Sequence, residues 1–434
     1  MGLKVVKFGG SSVADGGQIR KVEAILDQDP DRRFVVVSAP GKRGAGDVKV
    51  TDMLYACRDL AAKGEDFSEA FAGIERRFRD IEEDLGVDAG LQPEFDEIRR
   101  ELKKGCTADY AASRGEHLNA VLIAAYLGVP FLETAGRILF DQEGKLLAEE
   151  TDQALKAALP KEGRAVIPGF YGSEEDGTIR VFSRGGSDIT GALVAQAAGA
   201  EVYENWTDVS GLLVTDPRIV PEAQTVPELT YDELRALSFM GAGVLHEDAV
   251  FPVRAAGIPI NIRNTNRPQD DGTMILPRRD GEDGMITGIS GKKGYGLLTL
   301  SRPQMNGVKG FSAAFLTFLE ERGLAAEHLL TGVDRMAAVV KADLSDADGE
   351  ALAKAAAAAL SADCAWQGGL ALLAVVGKDF TIRAGNPAAF LTAMDRADAP
   401  AVFTDLGCDP DCVIAGVREK DYETAVRALY RTFM

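Results

Sequence analysis

Short apolar runs alternate with helical periodicity over the first part of the chain. KVVKF (Lys4–Phe8) and RFVVVSAP (Arg33–Pro40) are β-rich runs, and the segment between them carries apolar side chains at helical spacing from Ile19 to Leu26. A strand, helix, strand order requires a right-handed crossover between parallel strands. The pattern therefore predicts an open, mostly parallel α/β sheet flanked by helices.

The same pattern predicts several later elements. Residues 65–105 indicate a helical hairpin with solvated faces, and residues 108–128 indicate a long helix whose second half is apolar. Gly41–Asp52 has no periodicity and predicts a mobile loop at the carboxyl edge of a strand. Thr51 and Asp52, the last residues of this segment, are expected to cap the helix that follows. Further strands are predicted at 164–172, 177–182 and 258–264, the last of which is expected to close the sheet.

From about Gly294 the pattern changes to compact strand and helix units that occur twice. LLTLSR recurs as LALLAVVG, where Leu298 corresponds to Leu372, and Val339 later corresponds to Ile414, so the two copies lie about 75 residues apart. Each copy predicts a small α+β module, and neither contains a cluster of acids, bases or nucleophiles. The expected domains are 1–293, followed by two modules at roughly 294–365 and 366–434.

Composition limits the classes of function. The chain has 434 residues, 46% hydrophobic and 26% charged, as expected for a globular protein of two or three domains. Its formal net charge of −19 argues against a nucleic-acid or anionic-membrane surface. The N-terminus has no apolar run long enough for a signal peptide or membrane span. The five cysteines are odd in number and scattered, which is typical of a reducing cytosol. Cys408 and Cys412 have three residues between them and no partner pair, which argues against a metal site.

FSRGGSDITG, from Phe182 to Gly191, is the stretch most suggestive of chemistry. It falls on a predicted strand-to-helix turn, where glycines permit close backbone approach and the first helical N–H groups favour an anion. Arg184 adds a planar donor for a carboxylate or phosphate, and Asp188 places an acid nearby. An ordinary glycine-rich turn explains this stretch taken alone equally well.

A second glycine-rich turn follows the first predicted strand. Lys7 directly precedes FGGSS, and a strand that leads into such a turn and then a helix is the layout of a phosphate cradle. The spacing differs from a Walker loop.

The long helix carries Glu116 next to its apolar half. A buried acid must either be paired or take part in binding or catalysis, and a salt bridge to Arg114 or another base is the simpler alternative. His117, His246 and His328 are interpreted as structural because none lies near a plausible nucleophile in sequence.

Residues 201–221 predict a strand that runs into a polar loop. Trp206 is interpreted as core, whereas the loop is rich in hydroxyl, carboxylate and cationic side chains that suit a nucleotide with Mg²⁺, although turn chemistry favours the same residues. These side chains are Thr207, Asp208, Thr215, Asp216 and Arg218.

Together these motifs resemble the aspartate kinases, which phosphorylate the side-chain carboxylate of L-aspartate with ATP. The matching motifs, in chain order, are KFGGSS at Lys7, SRGE at Ser113, GFYG at Gly169, SRGGSD at Ser183, WTDVSG and TDPR at Trp206–Arg218, and MGAGVLHEDA at Met240. The resemblance implies an amino-acid-kinase domain and two ACT (ferredoxin-like) regulatory domains, which interleave in the family. It also implies a cytoplasmic homodimer or larger assembly that catalyses the first step of lysine, threonine and methionine biosynthesis.

The resemblance also implies residue roles. Lys7 steadies the transferring phosphoryl group, Asp188 is the acid of the active centre, Glu116 holds the substrate amino group and Arg184 clamps its α-carboxylate. The remaining positions are Thr51 and Ser187 for substrate, Gly9, Gly10, Ser11, Thr207, Asp208 and Arg218 for ATP, and Met305, Gly310, Glu327 and Thr331 for an effector. Lysine is the first choice of effector and threonine the second. No residue is assigned to a resident metal, so Mg²⁺ is expected to accompany ATP.

Two positions depart from the family pattern. Gly243 stands where a lysine is common and Leu213 where an aromatic residue is common, both near the nucleotide. Lys42 or Lys49 from the long loop is a candidate to supply the missing contact.

Other functions are compatible with parts of the sequence. A kinase for another small carboxylate such as acetylglutamate would not need Glu116 and lacks the paired modules. A non-catalytic amino-acid sensor that retains a kinase-like shell is an alternative of a different class. A fused homoserine dehydrogenase is not expected, because the length and pattern of these 434 residues indicate no further dinucleotide-binding domain.

Overall fold

The computed structural model describes residues 2–183, 185–243, 245, 250–279, 286–341, 344–406 and 409–434. The chain divides into two compact units. The first unit contains residues 1–212, 225–234 and 243–279, and the second contains 213–224, 235–242 and 280–434. The domain boundary expected at residue 294, and the division of the modules near 365, stay predictions.

The first unit is built on a sheet of seven strands within the described residues. In chain order these are β1 (Lys4–Phe8), β2 (Arg32–Val37), β3 (Ala165–Pro168), β6 (Val202–Thr207), β7 (Glu228–Thr230), β8 (Ile260–Asn264) and β9 (Thr273–Leu276), and across the sheet they run β3-β2-β1-β6-β8-β9-β7. Only β8 and β9 pair antiparallel among these neighbours. The expected open, mostly parallel sheet is confirmed, but β8 does not close it, because β9 and β7 lie beyond it.

Helices flank this sheet, as expected for an α/β fold, although α6 has no counterpart among the predicted elements. Their bounds are α1 (Gly16–Asp27), α2 (Val50–Ala62), α3 (Ser68–Leu85), α4 (Gln92–Lys104), α5 (Ala108–Leu127), α6 (Ala148–Ala158), α7 (Gly186–Ala198), α8 (Tyr231–Phe239) and α9 (Val250–Ala256). The predicted hairpin at 65–105 is the pair α3 and α4, and the predicted long helix is α5. A two-stranded antiparallel hairpin of β4 (Tyr171–Ser173) and β5 (Ile179–Val181) precedes α7 outside the main sheet.

The start of α2 differs from the sequence prediction. The helix begins at Val50 after the N-cap residue Lys49, which makes no side-chain cap, so Thr51 and Asp52 lie inside the first turn and do not cap it. Asp52 still carries an acid at the positive end of the helix dipole. The first residue of this helix could not be predicted from a capping side chain, because none is present.

The chain order of the strands locates the ligand-binding edge. From β1 the chain moves outward to β2 and β3 on one side, and it then returns to β6 and β8 on the other. The crevice beyond the carboxyl ends of β1 and β6 is therefore the topological switch point, where open α/β sheets bind ligands.

Side chains along β1 alternate between the hydrophobic core on one face of the sheet and the opposite face. Val6 and Phe8 are fully buried in the core cluster below α1 and α5, where the Phe8 ring stacks on Trp206 at 6.1 Å between centroids. Trp206 is thus a core residue, as predicted. Because side chains alternate along a strand, Lys7 points to the opposite face.

The second unit contains a six-stranded antiparallel sheet within the described residues. Its elements are β10 (Gly288–Ser301), α10 (Phe311–Glu320), β11 (Ala326–Thr331), β12 (Arg335–Lys341), α11 (Asp346–Leu360), β13 (Asp363–Val376), α12 (Asn386–Arg396), β14 (Phe403–Asp405), β15 (Cys412–Arg418) and α13 (Tyr422–Phe433), and the strands run β11-β12-β10-β13-β15-β14.

The two longest strands each serve both modules. In β10, residues 288–293 pair with residues 371–376, whereas residues 297–301 pair with residues 363–367 and with β12. The start of β10 therefore lies beside the second copy of the repeat and its end belongs to the first. The strand order on each side of this junction is that of a ferredoxin-like module.

Candidate active site

Lys7 and Asp188 meet at the switch point. The Lys7 Nζ atom lies 2.5 Å from Asp188 Oδ1, and both side chains are largely buried. Asn205 donates to the same carboxylate at 2.9 Å and is the residue of β6 that pairs with Lys7 of β1. The two residues expected at the catalytic centre are therefore brought together, with an amide that the sequence interpretation did not select.

Asn205 had one detectable signal in the sequence. It is a polar residue in the apolar strand that contains Tyr203 and Trp206, and a buried amide must find hydrogen-bond partners. The neighbouring Glu204 faces the other side of the sheet, where Arg32 Nε donates to it at 2.8 Å. Residue type alone does not distinguish the structural acid Glu204 from the site amide Asn205.

The glycine turn after β1 offers fewer free donors than expected. The Gly9 N–H donates to the Trp206 carbonyl at 3.0 Å, so it is not free to contact a phosphate. A short 3₁₀ turn follows at Gly10–Val13, and no hydrogen bond is formed by the Gly10 or Ser11 N–H within the described residues. A Cβ on Gly9 would lie 3.6 Å from Lys7 Nζ, an ordinary van der Waals contact, so packing does not require a glycine at this position.

The turn before α7 is shaped by close backbone contacts. Gly185 has a positive φ of 60° at the N-cap, and a Cβ on Gly186 would lie 2.6 Å from the Phe170 ring. Ser187 is buried and lies against Gly169, where a Cβ would be 2.6 Å from the serine side chain. The first turn of α7 thus presents its N-terminus beside Asp188, a geometry that favours an anion. Arg184 lies outside the described residues.

Glu116 is a buried carboxyl group with an unsatisfied oxygen. It is 6% exposed, and its Oε2 atom has no hydrogen-bond partner among the residues that the structure describes. Burial raises the pKa of Glu116 to about 8, and a backbone hydrogen bond from Ala39 and the charges of Arg114 and Lys7 offset this only in part. Such a group is suited to bind a ligand ammonium.

The alternative of a salt bridge between Glu116 and Arg114 is not observed. Arg114 instead donates to Ser113 Oγ at 3.0 Å and stacks on the rings of Tyr110 and Tyr171. The adjacent position on α5 is also structural. His117 contacts Glu94 at 2.9 Å and Glu133 at 3.1 Å, which ties α5 to α4 and to the following loop.

Helix α5 is held against the end of β2. Asn119 Nδ2 donates to the Ser38 carbonyl at 2.7 Å, and Gly115 has no side chain where a Cβ would lie 2.8 Å from the Ala39 Cβ. The small residue within SRGE therefore allows the close packing that positions Glu116.

The remaining residues predicted in the first unit lie on its loops and helix starts. Thr51 is half-buried in the first turn of α2. Thr207 ends β6, and its hydroxyl donates to the exposed Asp208 at 3.2 Å. Thr207 and Asp208 therefore lie at the carboxyl end of the strand that supplies Asn205, which agrees with a position at the ligand-binding edge.

Three further positions were expected near the nucleotide, and the structure does not bring them together in one unit. Arg218 belongs to the second unit, where its exposed guanidinium pairs with Asp216 at 2.6 Å. Leu213 lies in that unit and is 37% exposed, whereas Gly243 belongs to the first unit. Their nucleotide roles stay predictions.

The predicted effector residues lie in the first module of the second unit. Met305 is buried in the hydrophobic core below α10, whereas Gly310 is exposed at the N-cap of that helix with a φ of 79°. Glu327 and the exposed Thr331 lie on the edge strand β11. The Glu327 Oε2 atom is buried without a hydrogen-bond partner within the described residues.

Metal-binding clusters, the other histidines and membrane-spanning helices were also considered in the sequence, and each can be compared with the described residues. The described residues contain no group of three or more His, Cys, Asp or Glu side chains arranged to hold a metal ion. His246 and Cys408 lie outside the described residues, and His328 packs against the Phe239 ring. In the described part of the chain, every helix is too short or too polar to cross a membrane.

Comparison with known proteins identifies the family. A sequence profile described as the amino acid kinase family matches residues 2–264. The chain is 35% identical to aspartokinase 3 of Bacillus subtilis, over 99% of this chain and 98% of that protein. The crystal structure of an aspartate kinase from Clostridium acetobutylicum, described as an allosteric enzyme, shares 39% identity and a TM-score of 0.93 over the whole of both chains.

A structure of E. coli aspartokinase III in complex with aspartate and ADP shares the fold, with a TM-score of 0.77 and 24% identity over 99% of both chains. The predicted fold, an amino-acid-kinase sheet followed by ACT-type modules, is confirmed, as is the resemblance found in the motifs. The chain belongs to the amino acid kinase family and, within it, to the aspartokinases.

Proposed function

We propose that this enzyme transfers the γ-phosphoryl group of ATP to the side-chain carboxylate of L-aspartate, giving 4-phospho-L-aspartate and ADP. The observation that carries the proposal is the buried Lys7–Asp188–Asn205 group at the switch point, with Glu116 within electrostatic range of Lys7. A cation is thereby fixed where phosphoryl oxygens must be neutralised, and a carboxyl group is left free for the amine of the substrate.

The reaction needs charge and alignment more than it needs a base. The aspartate side chain is already ionised near neutral pH, so its oxygen attacks the γ-phosphorus in line while the bond to the ADP oxygen breaks. Lys7 offsets the negative charge of the phosphoryl oxygens, and Asp188 with Asn205 holds the ammonium group in place. The N–H groups of Gly10 and Ser11 are the main-chain donors proposed for the phosphates.

Substrate selection is assigned to Glu116 and Arg184. Glu116 is proposed to accept the α-ammonium group, and Arg184 to form a two-pronged contact with the α-carboxylate. Ser187 and Thr51 complete the proposed contacts. An N-acylated substrate such as acetylglutamate carries no ammonium group, so the unsatisfied Glu116 oxygen favours a free amino acid.

The donors present fit Mg²⁺ that enters with ATP. Mg²⁺ keeps several waters and binds through one or two carboxylates plus phosphate oxygens, so it does not require a preformed protein cage. Asp188 and Asp208 are the carboxylates near the proposed phosphate site that would contribute. When bound, the ion neutralises charge on the phosphate oxygens.

Amino-acid feedback through the second unit is part of the proposal. The ACT-type modules and the unsatisfied carboxylate of Glu327 support an amino-acid effector, with lysine as the first choice and threonine as the second. A cytoplasmic homodimer or larger assembly at the first step of lysine, threonine and methionine synthesis is proposed on the same family basis.

A substrate assay tests the activity. Purified protein with Mg²⁺ and ATP is expected to release ADP when L-aspartate is added and to release little with N-acetylglutamate or with no acceptor. Trapping the acyl phosphate with hydroxylamine distinguishes phosphorylation of aspartate from ATP hydrolysis. ADP release that does not depend on aspartate, or a complete lack of turnover as expected for a sensor, would contradict the proposal.

A further inference from the structure

Residues 41–49 form a strap between β2 and α2, and a single buried arginine anchors it. Arg77 of α3 is 3% exposed. Its Nη1 atom donates to Asp47 Oδ2 at 2.5 Å, and its Nη2 atom donates to the carbonyls of Gly41 at 2.5 Å and Ala14 at 3.2 Å. One guanidinium thus joins the strap at both ends to the segment that follows the glycine turn.

The strap rests directly on the turn proposed to hold phosphate. The Gly41 N–H donates to the Gly10 carbonyl at 2.9 Å, and a Cβ on Gly41 would lie 2.6 Å from the Gly10 carbonyl carbon. The two backbones are therefore in contact, and a shift of the strap must disturb the donors at Gly10 and Ser11.

The strap also carries free positive charge. Lys42 and Lys49 are exposed and make no ion pair or side-chain hydrogen bond among the residues described. The one acid of the strap, Asp47, is already neutralised by Arg43 at 2.9 Å and by Arg77, and these contacts keep its pKa well below the usual value. The two lysines therefore remain available to an anion at the Gly10 edge.

We propose that Arg77 is a positioning residue for the nucleotide phosphates, because it fixes the strap so that Gly10, Lys42 and Lys49 face the phosphate groups together. This inference rests on the proposed function. It assigns a role to the α3–α4 hairpin, for which the sequence pattern indicated only helices with solvated faces. It also assigns to Lys42 and Lys49 the cationic contact that a lysine makes possible in relatives and that Gly243 cannot make in this chain.

Paired variants separate positioning from general stability. Arg77→Met removes the anchor, and Asp47→Asn keeps its shape but removes the charge that Arg77 holds. Both are expected to raise the Kd for Mg-ADP and the KM for ATP about tenfold, while the KM for aspartate stays within about twofold. Trypsin is expected to cleave after Lys42 or Arg43 faster in both variants, since the strap is released.

Arg99→Met is the matched control. Arg99 belongs to the same hairpin, where it pairs with Glu75 at 2.6 Å and stacks on Phe71, but it makes no contact with the strap among the described residues. Its loss is expected to lower Tm without changing nucleotide affinity. The double variant Lys42→Ala/Lys49→Ala should weaken Mg-ADP binding by a similar factor, and less in the Asp47→Asn background than in the native one, because the two changes act on one unit.

The outcomes separate this inference from the proposed function. Mg-ADP affinity is measured by calorimetry and does not require turnover, so weaker binding in Asp47→Asn supports the strap even if aspartate is not phosphorylated. Unchanged Mg-ADP affinity in Asp47→Asn would overturn the inference, whether or not Arg77→Met folds. Equal rises in the KM values for ATP and aspartate would also overturn it, because a merely structural role predicts that result.

Discussion

Lys7 is a cation buried in an interior strand of a sheet, a position that is costly unless its charge is compensated or serves a ligand. Asp188 provides that compensation, and Asn205 donates a hydrogen bond to the Asp188 carboxylate. The Lys7 side chain is therefore held in one position, and a fixed cation stabilises negative charge in a transition state without reorganisation.

Lys7→Ala is expected to lower kcat by about 10²-fold or more, with a much smaller change in the KM for aspartate, because the lost interaction acts on the transferring phosphoryl group. Steady-state kinetics with each substrate varied would measure this. Lys4→Ala is the control, since Lys4 lies on the same strand but pairs with Asp29 at 2.7 Å. Turnover near that of the unmodified enzyme would remove Lys7 from this role.

The raised pKa of Glu116 predicts that both the stability of the protein and its activity with aspartate depend on pH in the range around 8. Its pKa of about 8 lies above the value of 4.5 expected in the unfolded chain, so the folded state holds the extra proton between these values. Its stabilising contribution is therefore complete below pH 4.5 and is lost as pH rises through about 8. Ammonium binding needs the ionised form, so kcat/KM for aspartate is expected to rise over the same upper range.

Glu116→Gln tests both effects because glutamine has a similar shape and does not titrate. The variant should lose less Tm between pH 6 and pH 9 than the native protein, and its KM for aspartate should be raised and nearly independent of pH. Calorimetry and aspartate titrations across this range would show it. A pH profile that is the same with and without the carboxyl group would contradict the assignment.

Individual candidate residues could be selected from the sequence where a distinctive side chain lies in or next to a glycine-rich turn. Lys7 and Asp188 were selected in this way, and the structure brings them within 2.5 Å of each other. Asn205 was missed because its role depends on pairing between β1 and β6, which only the folded sheet creates. The use of the Gly9 N–H by Trp206 has the same origin, since that hydrogen bond joins residues far apart in sequence.

At the scale of the element, α5 carries Glu116 and depends on close packing. Gly115 faces Ala39 at the end of β2, and Val50 and Leu54 of α2 lie 3.5 Å from the position of a Cβ. Glycine normally weakens a helix, so its presence within α5 reflects the approach of these elements.

Gly115→Ala is expected to raise the KM for aspartate and to lower Tm. Alanine favours helix by about 1 kcal/mol, but overpacking a core costs about 1–3 kcal/mol, and the new methyl group would push α5 away from β2. Gly73→Ala on α3 is the matched control, because its Cβ would meet only the flexible end of Met53 at 3.2 Å. We expect this control to retain native kinetics, and a Gly115→Ala enzyme with equal Tm and KM would contradict the packing argument.

The strength of the local signal explains which elements were predictable. Helices α3, α4 and α5 have long periodic patterns and were predicted closely. The start of α2 was misplaced because Lys49 makes no capping hydrogen bond. Strands β7 and β9 were missed because they have only three and four residues, too few for alternation to be recognised.

For the whole molecule, covalent continuity connects the two units. Residues 213–224 and 235–242 belong to the second unit, whereas the chain on either side of each segment belongs to the first. The chain therefore passes back and forth between the unit with the proposed active site and the unit with the repeated modules. The internal repeat predicted two modules, but it could not predict that segments from the middle of the chain would join them.

These segments are the proposed route for the feedback, because they belong to the second unit and lead directly into the first. L-lysine is expected to inhibit aspartate-dependent ADP release more strongly than L-threonine. Glu327→Gln should raise the lysine concentration needed for half-inhibition by about tenfold, since its unsatisfied carboxylate is the proposed partner of the effector ammonium. Each variant is compared with its own uninhibited rate, and Glu320→Gln on the exposed side of α10 is the control. Inhibition by lysine that is identical in Glu327→Gln would exclude Glu327 as the contact, and indifference of the native enzyme to both amino acids would leave the modules without the proposed sensory role.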